Sequence, residues 1–293
     1  MKFWQNLSWI ETEQQVECAR FAEELGFDGV MHGDHFCFPD VIRSRYPMSE
    51  DGIAPMPTDW AYPDLWVTMA AQGAVTTRLR FAAGIYTMPT RHPIVTAKAT
   101  GTLALLTGNR AIIGVAPGWM REEFDAAGVP FERRGARLDE AIAAVRALWR
   151  GGVVEHRGQF YDFGPVRLDP MPGYELPVYI GGSGEAARKR AARLGDGWIG
   201  GGNQPEEIPA IVARLRQLRL EAGRSDRAFE TVFPLLRPVT VDELKRLHEQ
   251  GMDATVNIPF MFTLGPRSTI DEKKRWMEDY ARTFLRPFEK RAR

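Results

Sequence analysis

The sequence predicts an α/β protein that folds as a single (β/α)8 barrel domain over residues 1–293. Strand-like and helix-like segments alternate from end to end of the chain, and eight such pairs can be counted. A doubly wound open sheet is the rival architecture, but it usually has fewer strands and a glycine-rich turn after its first strand. The first predicted junction, residues 8–11 (SWIE), contains no glycine, and no internal repeat or low-complexity linker divides the chain.

The first half of the chain supplies four units. Short apolar runs indicate buried strands, and apolar residues at helical spacing, such as Leu138, Ile142 and Val145, indicate helices. Gly26 and Gly108 follow two of these helices as stop signals. The predicted strands are Lys2–Trp9, Phe27–Met31, Leu79–Tyr86 and Arg110–Val115. The predicted helices are Glu11–Leu25, Asp64–Val75, Pro93–Leu106, Arg121–Ala127 and Arg134–Trp149.

Two segments interrupt this rhythm. His32–Pro63, after the second strand, is rich in proline and charge and lacks periodicity, so it predicts a long functional loop. Gly151–Asp169, before the fifth strand, has apolar residues on both sides of a polar stretch, which predicts a hairpin insertion.

The second half of the chain repeats the alternation four more times, which completes the eight units. Its predicted strands are Pro177–Gly182, Gly197–Gly200, Phe229–Leu236 and Asp253–Ile258. Its predicted helices are Glu185–Leu194, Pro205–Ala222, Val241–Gln250 and Ser268–Arg282.

Composition excludes several classes of protein. Lysine plus arginine and aspartate plus glutamate both number 38, so the basic surplus of a nucleic-acid-binding protein is missing. No apolar run is as long as a membrane span, and the first ten residues do not form a signal peptide. The two cysteines, Cys18 and Cys37, form no disulfide framework and no paired-cysteine metal motif. We therefore expect a cytoplasmic protein that binds neither nucleic acid nor membrane.

Candidate chemistry begins at the end of the second predicted strand, where His32, Asp34 and His35 occur within four residues. The active residues of a barrel cluster at the carboxyl ends of its strands. Imidazole and carboxylate groups can exchange protons or bind metals. Alternation along a strand separates His32 and Asp34 from His35, which argues against a shared metal ion. We predict proton transfer or cofactor contact by Asp34 and His35 and no metal site; capping of the following loop is the structural alternative.

Small residues mark the ends of the next two strands. Gly84, followed by Ile85, predicts a bulge, a close approach to a ligand or simply tight barrel packing. Pro117 and Gly118 leave the backbone open after the fourth strand, and the indole beside them fits a pocket for a flat ring. The candidate pocket walls are Trp4, Trp60 and Trp119, for which core or lid packing is the alternative.

The fifth predicted strand runs through a glycine-rich turn directly into a helix. The exposed N–H groups of Gly182, Ser183 and Gly184, the serine hydroxyl and the positive end of the helix together suit a phosphate. The pattern is not GxGxxG and lacks the lysine of a nucleotide-binding P-loop, so it does not indicate ATP. We predict a phosphate site here, with a plain tight turn as the alternative.

Short tracts along nearly the whole chain, in a fixed order, carry a resemblance to a known family. They are residues 21–28 (FAEELGFD) with 33–35 (GDH), 91–93 (RHP), 114–119 (GVAPGW) with 121–124 (REEF), 134–149, 177–183 (PVYIGGS) and 195–198 (GDGW). In this order they resemble the bacterial luciferase-like monooxygenase superfamily. The resemblance implies a (β/α)8 barrel that binds reduced FMN or the deazaflavin coenzyme F420, and it is greatest to the F420-dependent branch.

The resemblance also assigns roles to residues. Asp34 and His35 match the pair that lies against the deazaflavin, and Gly84-Ile85 matches a bulge whose non-proline cis peptide bond backs the ring. The cofactor phosphate would meet backbone at Pro117-Gly118 and Ser183-Gly184. A homodimer is also implied, because members of this family usually dimerise.

One departure concerns the substrate. The sugar-phosphate dehydrogenases of the F420 branch carry a catalytic glutamate where this chain has Trp119, so we expect a more apolar substrate than glucose 6-phosphate. The leading hypothesis is an F420-dependent oxidoreductase in which His35 is the acid or base and Asp34 orients it or contacts the ring. An FMN-dependent monooxygenase supplied by a separate reductase is the first alternative. A non-catalytic flavin-binding protein and a metal hydrolase built on the histidine cluster are the others.

Overall fold

The computed structural model describes residues 1–288, so residues 289–293 of the predicted domain lie outside the described part. Its strands are β1 (Lys2–Asn6), β2 (Gly29–His32), β3 (Arg80–Ala83), β4 (Tyr86–Thr87), β5 (Ala111–Ala116), β6 (Val153–Arg157), β7 (Asp162–Arg167), β8 (Val178–Gly181), β9 (Gly197–Ile199), β10 (Glu230–Pro234) and β11 (Ala254–Val256). All strands except β6 and β7 form one parallel sheet, in which β1 pairs with β11 and β3 pairs with β5. Because β4 continues β3, this sheet is a closed eight-stranded barrel, as predicted.

Helices connect the barrel strands. They are α1 (Gln15–Leu25), α2 (Leu65–Ala74), α3 (Pro93–Leu106), α4 (Arg121–Ala126), α5 (Arg134–Trp149), α6 (Glu185–Leu194), α7 (Ile208–Glu221), α8 (Val241–Glu249), α9 (Phe260–Leu264) and α10 (Ile270–Tyr280). The short helix α9 was not predicted. The predicted insertion before the fifth barrel strand is the antiparallel hairpin β6–β7.

Local chemistry sets the boundaries of these elements. Gly26 ends α1 with a φ of 91°, a left-handed conformation that glycine adopts without strain. The Asp64 side chain accepts the N–H groups of Trp66 and Val67 and so begins α2 where predicted. The first strand is shorter than predicted, because the side chain of Asn6 accepts the N–H of Ser8 and turns the chain.

The third predicted strand is interrupted in the structure. Strand β3 ends at Ala83 and β4 begins at Tyr86, and the peptide bond between the two intervening residues, Gly84 and Ile85, is cis. The N–H of Gly84 still donates to the carbonyl of His32 (2.7 Å), so the break leaves this part of the rim attached to β2. Both the bulge and the cis bond that the resemblance implied are present.

Trp4 lies inside the barrel, which corrects its assignment to a substrate pocket. Its side chain is 1 % exposed and packs with Met31, Tyr179 and other members of the inner core. Its ring occupies the space where a Cβ of Gly29, the first residue of β2, would lie. Trp4 therefore fills the core near the amino-terminal ends of the strands, away from the end where active residues cluster.

The outer helices carry exposed apolar side chains in one region. Val67 of α2 and Val95 and Leu106 of α3 line a shared groove and are largely exposed. The homodimer implied by the resemblance stays a prediction, for which this face offers apolar surface. Within residues 1–288, no helix has the length and apolarity needed to span a bilayer.

Candidate active site at the carboxyl ends of the strands

His35 stands at the centre of an aromatic group just beyond the end of β2. The ring centroids of Phe38, Tyr62 and Trp119 lie 4.4, 5.1 and 6.3 Å from that of His35. Tyr62 and Trp119 meet the imidazole edge-on, at interplanar angles of 86° and 89°. The structure thus brings together two predicted site residues, His35 and Trp119, in largely apolar surroundings.

The long loop, residues 33–64, supplies most of these rings. It has no helix or strand, as predicted, and it contributes His35, Phe38 and Tyr62. Tyr46, from the same loop, packs edge-on against Trp119 at 5.1 Å. Burial raises the pKa of the Tyr62 hydroxyl well above its ordinary value, so this phenol stays neutral. Trp60 is half-buried in the same loop, and its role as a pocket wall stays a prediction.

The loop is fastened to α4 by two neighbouring glutamates. Glu122 accepts hydrogen bonds from the N–H groups of Arg43 and Ser44 and from the Ser44 hydroxyl, at 2.7 to 3.0 Å. Glu123 accepts the N–H of Phe36. These contacts hold the loop across the carboxyl end of the barrel, the position of a cover that keeps water from a site.

Glu123 lies beside the predicted site residue His35, and the sequence did not indicate this position. Its side chain is 1 % exposed, and its Oε2 lies 3.4 Å from Nδ1 of His35. Residues 121–124 carry part of the family resemblance, but no role was predicted for their two glutamates. The only available signal was a weak one, two adjacent acids in the helix that follows a barrel strand.

Asp34 does not orient His35, because its carboxylate is engaged elsewhere. Arg91 donates to both oxygens, Nη1 to Oδ2 at 2.6 Å and Nη2 to Oδ1 at 2.9 Å. The N–H of Thr87 donates to Oδ2 at 3.2 Å. Burial raises the pKa of the Asp34 carboxyl, and the guanidinium opposes that rise. Asp34 therefore ties the end of β2 to the turn after β4, and its contact with a cofactor ring stays a prediction.

His32 faces the helix layer and not the mouth of the barrel. Its Nε2 lies 2.9 Å from the side-chain oxygen of Gln72 in α2. Complete burial lowers the pKa of His32 to about 4, against the smaller opposing effect of the Gln72 hydrogen bond. The imidazole is therefore neutral at pH 7 and serves as a buried structural contact.

The three neighbours at this strand end thus have three separate partners. His32 contacts Gln72, Asp34 contacts Arg91, and His35 faces Glu123. Within residues 1–288, the histidine, cysteine, aspartate and glutamate side chains form no group of three or more that could hold a metal ion. The metal hydrolase hypothesis therefore has no support from this geometry.

The bulge at Gly84 and Ile85 is packed by glycines. A Cβ on Gly84 would fall on the side chain of Met31, and a Cβ on Gly181 would fall on Cδ1 of Ile85. Ile85 packs on the inner core but is only half-buried, so part of its side chain stays accessible at this end of the barrel. A partly exposed apolar side chain at this rim could support a ring system, and its contact with a cofactor stays a prediction.

In the glycine-rich turn after β8, the structure removes Gly182 from the three residues predicted to bind a phosphate. The N–H of Gly182 donates to the carbonyl of Ile199 (3.1 Å) and its carbonyl accepts from Trp198 Nε1 (3.0 Å), so both groups are engaged within the barrel. Ser183 and Gly184 are exposed, and a Cβ on Gly184 would meet nothing within 4 Å. The start of α6 is therefore exposed, as a phosphate site requires.

The acid at the start of α6 is neutralised. Glu185 Oε1 accepts from Nη2 and Nε of Arg214 at 2.6 and 3.1 Å, and its Oε2 accepts from Arg188 at 3.5 Å. The first of these contacts is the main cause of the lowered pKa of Glu185. An unpaired carboxylate at this position would repel a phosphate, whereas this one is paired with two guanidinium groups.

The turn after β5 completes the rim. Gly118 has a φ of 85°, and a Cβ there would crowd the side chains of Thr87 and Phe124. Its carbonyl accepts from Nε of Arg134 at 2.9 Å. Pro117 and Gly118 are half-buried, so the backbone contact predicted for them remains open to a ligand.

Comparison with known sequences gives consistent matches. The family described as luciferase-like monooxygenase matches residues 4–281. An uncharacterized protein of Mycobacterium tuberculosis is 37 % identical over 272 residues, covering 92 % of this chain and 94 % of that protein. The F420-dependent glucose-6-phosphate dehydrogenase of M. tuberculosis is 32 % identical over 267 residues, covering 88 % of this chain and 73 % of that enzyme.

Comparison with solved structures confirms the fold. The monooxygenase RslO1 from Streptomyces bottropensis superposes with a TM-score of 0.75 at 20 % identity, over 99 % of this chain and 100 % of that chain. The F420-dependent tetrahydromethanopterin reductase from Methanopyrus kandleri superposes with a TM-score of 0.76 at 17 % identity, over 98 % and 99 % of the two chains.

Proposed function

The chain belongs to the luciferase-like monooxygenase family, and we propose that it is an F420-dependent oxidoreductase acting on a small, rather apolar organic substrate. The reaction would transfer a hydride between the deazaflavin and the substrate. The cofactor choice is supported by the F420-dependent relative that is 32 % identical over most of the chain. FMN is the alternative cofactor, since a phosphate site at α6 suits both.

The observation that carries this proposal is the setting of His35. A single imidazole stands among Phe38, Tyr62 and Trp119, with an accessible isoleucine on a cis peptide bond and an open helix start on the same rim. This setting places an imidazole, which can exchange a proton near pH 7, among aromatic side chains. It suits a substrate that is recognised by shape and yields or receives one proton.

The chain's own residues would divide the work as follows. Ser183 and Gly184 would bind the phosphate through the N–H groups at the start of α6, and Ile85 would support the ring. His35 would exchange a proton with the substrate, and the loop of residues 33–64 would exclude water. When bound, F420 supplies the hydride chemistry, which no side chain can perform.

The first experiment is a fluorescence titration of the purified protein with F420 and, in parallel, with FMN in both redox states. We expect clearly tighter binding of F420. A preference for reduced FMN would refute the proposal and favour a two-component monooxygenase. If F420 binds but no hydride donor or acceptor changes its redox state, the non-catalytic binding protein is favoured.

A pair of variants at Gly184 tests the phosphate site. The residue has ordinary extended backbone (φ −79°, ψ 162°) and open space, so a side chain fits there without strain. Gly184→Asp and Gly184→Asn have the same shape and both cap the helix, so they differ only in charge. A carboxylate at a helix start should weaken binding of a phosphorylated cofactor by roughly 1 kcal/mol, about fivefold, relative to the amide. Equal affinities would place the phosphate elsewhere.

A further inference from the structure

Glu123 has a geometry that anchoring the loop does not explain. It lies in the first turn of α4 and is almost completely buried, a costly position for a carboxylate. One oxygen, Oε1, accepts the N–H of Phe36. The other, Oε2, is turned to the imidazole of His35 at 3.4 Å. Each oxygen of this carboxylate therefore has its own nitrogen.

Nδ1 is the nitrogen of His35 that faces Glu123. Nδ1 is buried and makes no hydrogen bond among residues 1–288, and its 3.4 Å separation from Oε2 of Glu123 is an ion-pair contact. Because the two nitrogens lie on different sides of the ring, Nε2 faces away from Glu123. Contacts of this kind are often long in ligand-free enzymes and shorten when the site is filled. The carboxylate is therefore placed to accept a proton that Nδ1 carries.

We propose that Glu123 is a positioning residue that fixes His35 as the Nδ1–H tautomer, so that Nε2 is the nitrogen that exchanges a proton with the substrate. This proposal rests on the proposed function for its catalytic meaning. In the oxidising direction Nε2 would accept the substrate's proton while F420, when bound, would supply the hydride acceptor, and in the reducing direction Nε2 would return the proton. A buried carboxylate that holds the far nitrogen of a catalytic histidine is a known way to fix its tautomer.

The surroundings of Glu123 favour this single role. The guanidinium of Arg91, which would otherwise neutralise a buried acid, is held by both oxygens of Asp34. The thiol of Cys37 is near enough that the negative charge of Glu123 contributes to its raised pKa, after burial. The imidazole of His35 is therefore the proton donor toward which the free oxygen of Glu123 is turned.

The test is a spectrum of the histidine nitrogens in the free protein. Two-bond proton–nitrogen correlations of the ¹⁵N-labelled chain at pH 8 distinguish the tautomers of its five histidines. The signals lost in His35→Asn assign His35. We expect Nδ1 to be protonated and Nε2 unprotonated in the wild-type protein.

The variant Glu123→Gln should reverse the tautomer of His35. The N–H of Phe36 will keep the amide oxygen of glutamine, which turns the amide NH2 toward Nδ1. Nδ1 must then accept a hydrogen bond, so His35 should switch to the Nε2–H tautomer. Glu122→Gln is the matched control, since this neighbour bonds Ser44 and should leave the His35 tautomer unchanged.

Three results would overturn the inference: Nε2–H in the wild-type protein, protons on both nitrogens at pH 8, or no switch in a folded Glu123→Gln variant. If the variant does not fold, the wild-type spectrum alone decides. No cofactor is present in these spectra, so they are independent of the F420 titration. A failed titration beside the expected tautomers would overturn the proposed function and leave the role of Glu123 toward His35 intact.

Discussion

Breaking the ion pair between Asp34 and Arg91 should destabilise the barrel rather than merely impair catalysis. The two side chains are 5 % and 14 % exposed and share two hydrogen bonds of 2.6 and 2.9 Å. The guanidinium also lies 4.6 Å from the ring centroid of Tyr86. Either single replacement leaves a buried charge without its partner, which typically costs about 3–5 kcal/mol. Because Arg91 keeps some access to water, we expect the lower end, about 3 kcal/mol.

A double-mutant cycle separates this role from a catalytic one. Asp34→Asn keeps an acceptor for the N–H of Thr87, and Arg91→Met keeps much of the stem that packs on Tyr86. Each single variant should unfold at a clearly lower denaturant concentration than the wild-type protein. The double variant leaves no unpaired charge, so it should cost about as much as one single variant, a coupling of roughly 2–3 kcal/mol.

Two measurements on the same four proteins could refute this reasoning. The first is urea unfolding. If the losses in free energy of unfolding of the two single variants add up in the double variant, or if the single variants are as stable as the wild-type protein, the ion pair contributes little to stability. The second is the affinity of each protein for F420, measured by titration. If Asp34→Asn loses cofactor affinity at unchanged stability, Asp34 contacts the cofactor ring, as the family resemblance implied, and the structural role is wrong.

Two further predictions concern His32 and the ring platform. The pKa of His32 is about 4 in the folded protein against an ordinary value of 6.5, so the unfolded chain takes up the proton first, and the free energy of unfolding should fall by about 3 kcal/mol as the pH drops from 6.5 to 4. In His32→Gln, the urea midpoint of unfolding should depend less on pH across that range. A pH dependence equal to that of the wild-type protein would contradict this. Gly181→Ala places a methyl group on Cδ1 of Ile85, so it should cost about 1–3 kcal/mol of stability and weaken F420 binding. The added change Ile85→Val removes that carbon and should restore much of the stability, and a single variant as stable as the wild-type protein would refute the packing argument.

The barrel was predictable because its evidence is local. Each parallel strand is buried on both faces and reads as a short apolar run, and each helix shows a spacing of three to four residues. The ends of the strands follow from the same apolar runs, which is why the sequence alone places His35, Gly84 and Ser183 at the rim. The interruption between β3 and β4 was indicated by Gly84 and by the family resemblance, whereas the short helix α9 was not predicted, because no periodicity marks an element of five residues.

The partners of the site residues were not predictable, because they come from distant parts of the chain. Arg91 is 57 residues from Asp34, and Glu123 is 87 residues from the N–H group that it binds. Adjacent acids in the first turn of a helix are common for a purely local reason, since they favour the positive end of the helix. Only the packing of α4 under the long loop turns Glu123 inward, while Glu122 binds the loop from outside.

The end of β2 at His32 explains why one short segment supports three separate contacts. His32 ends β2 with its side chain toward α2 and stays neutral through burial. Two residues later the chain has left the strand, and Asp34 meets a guanidinium from beyond β4. The next side chain, His35, faces the mouth, where Glu123 lies behind its inner nitrogen. A metal ion would need these groups to converge, whereas each of the three has its own partner, which leaves the imidazole of His35 as the group proposed to exchange a proton.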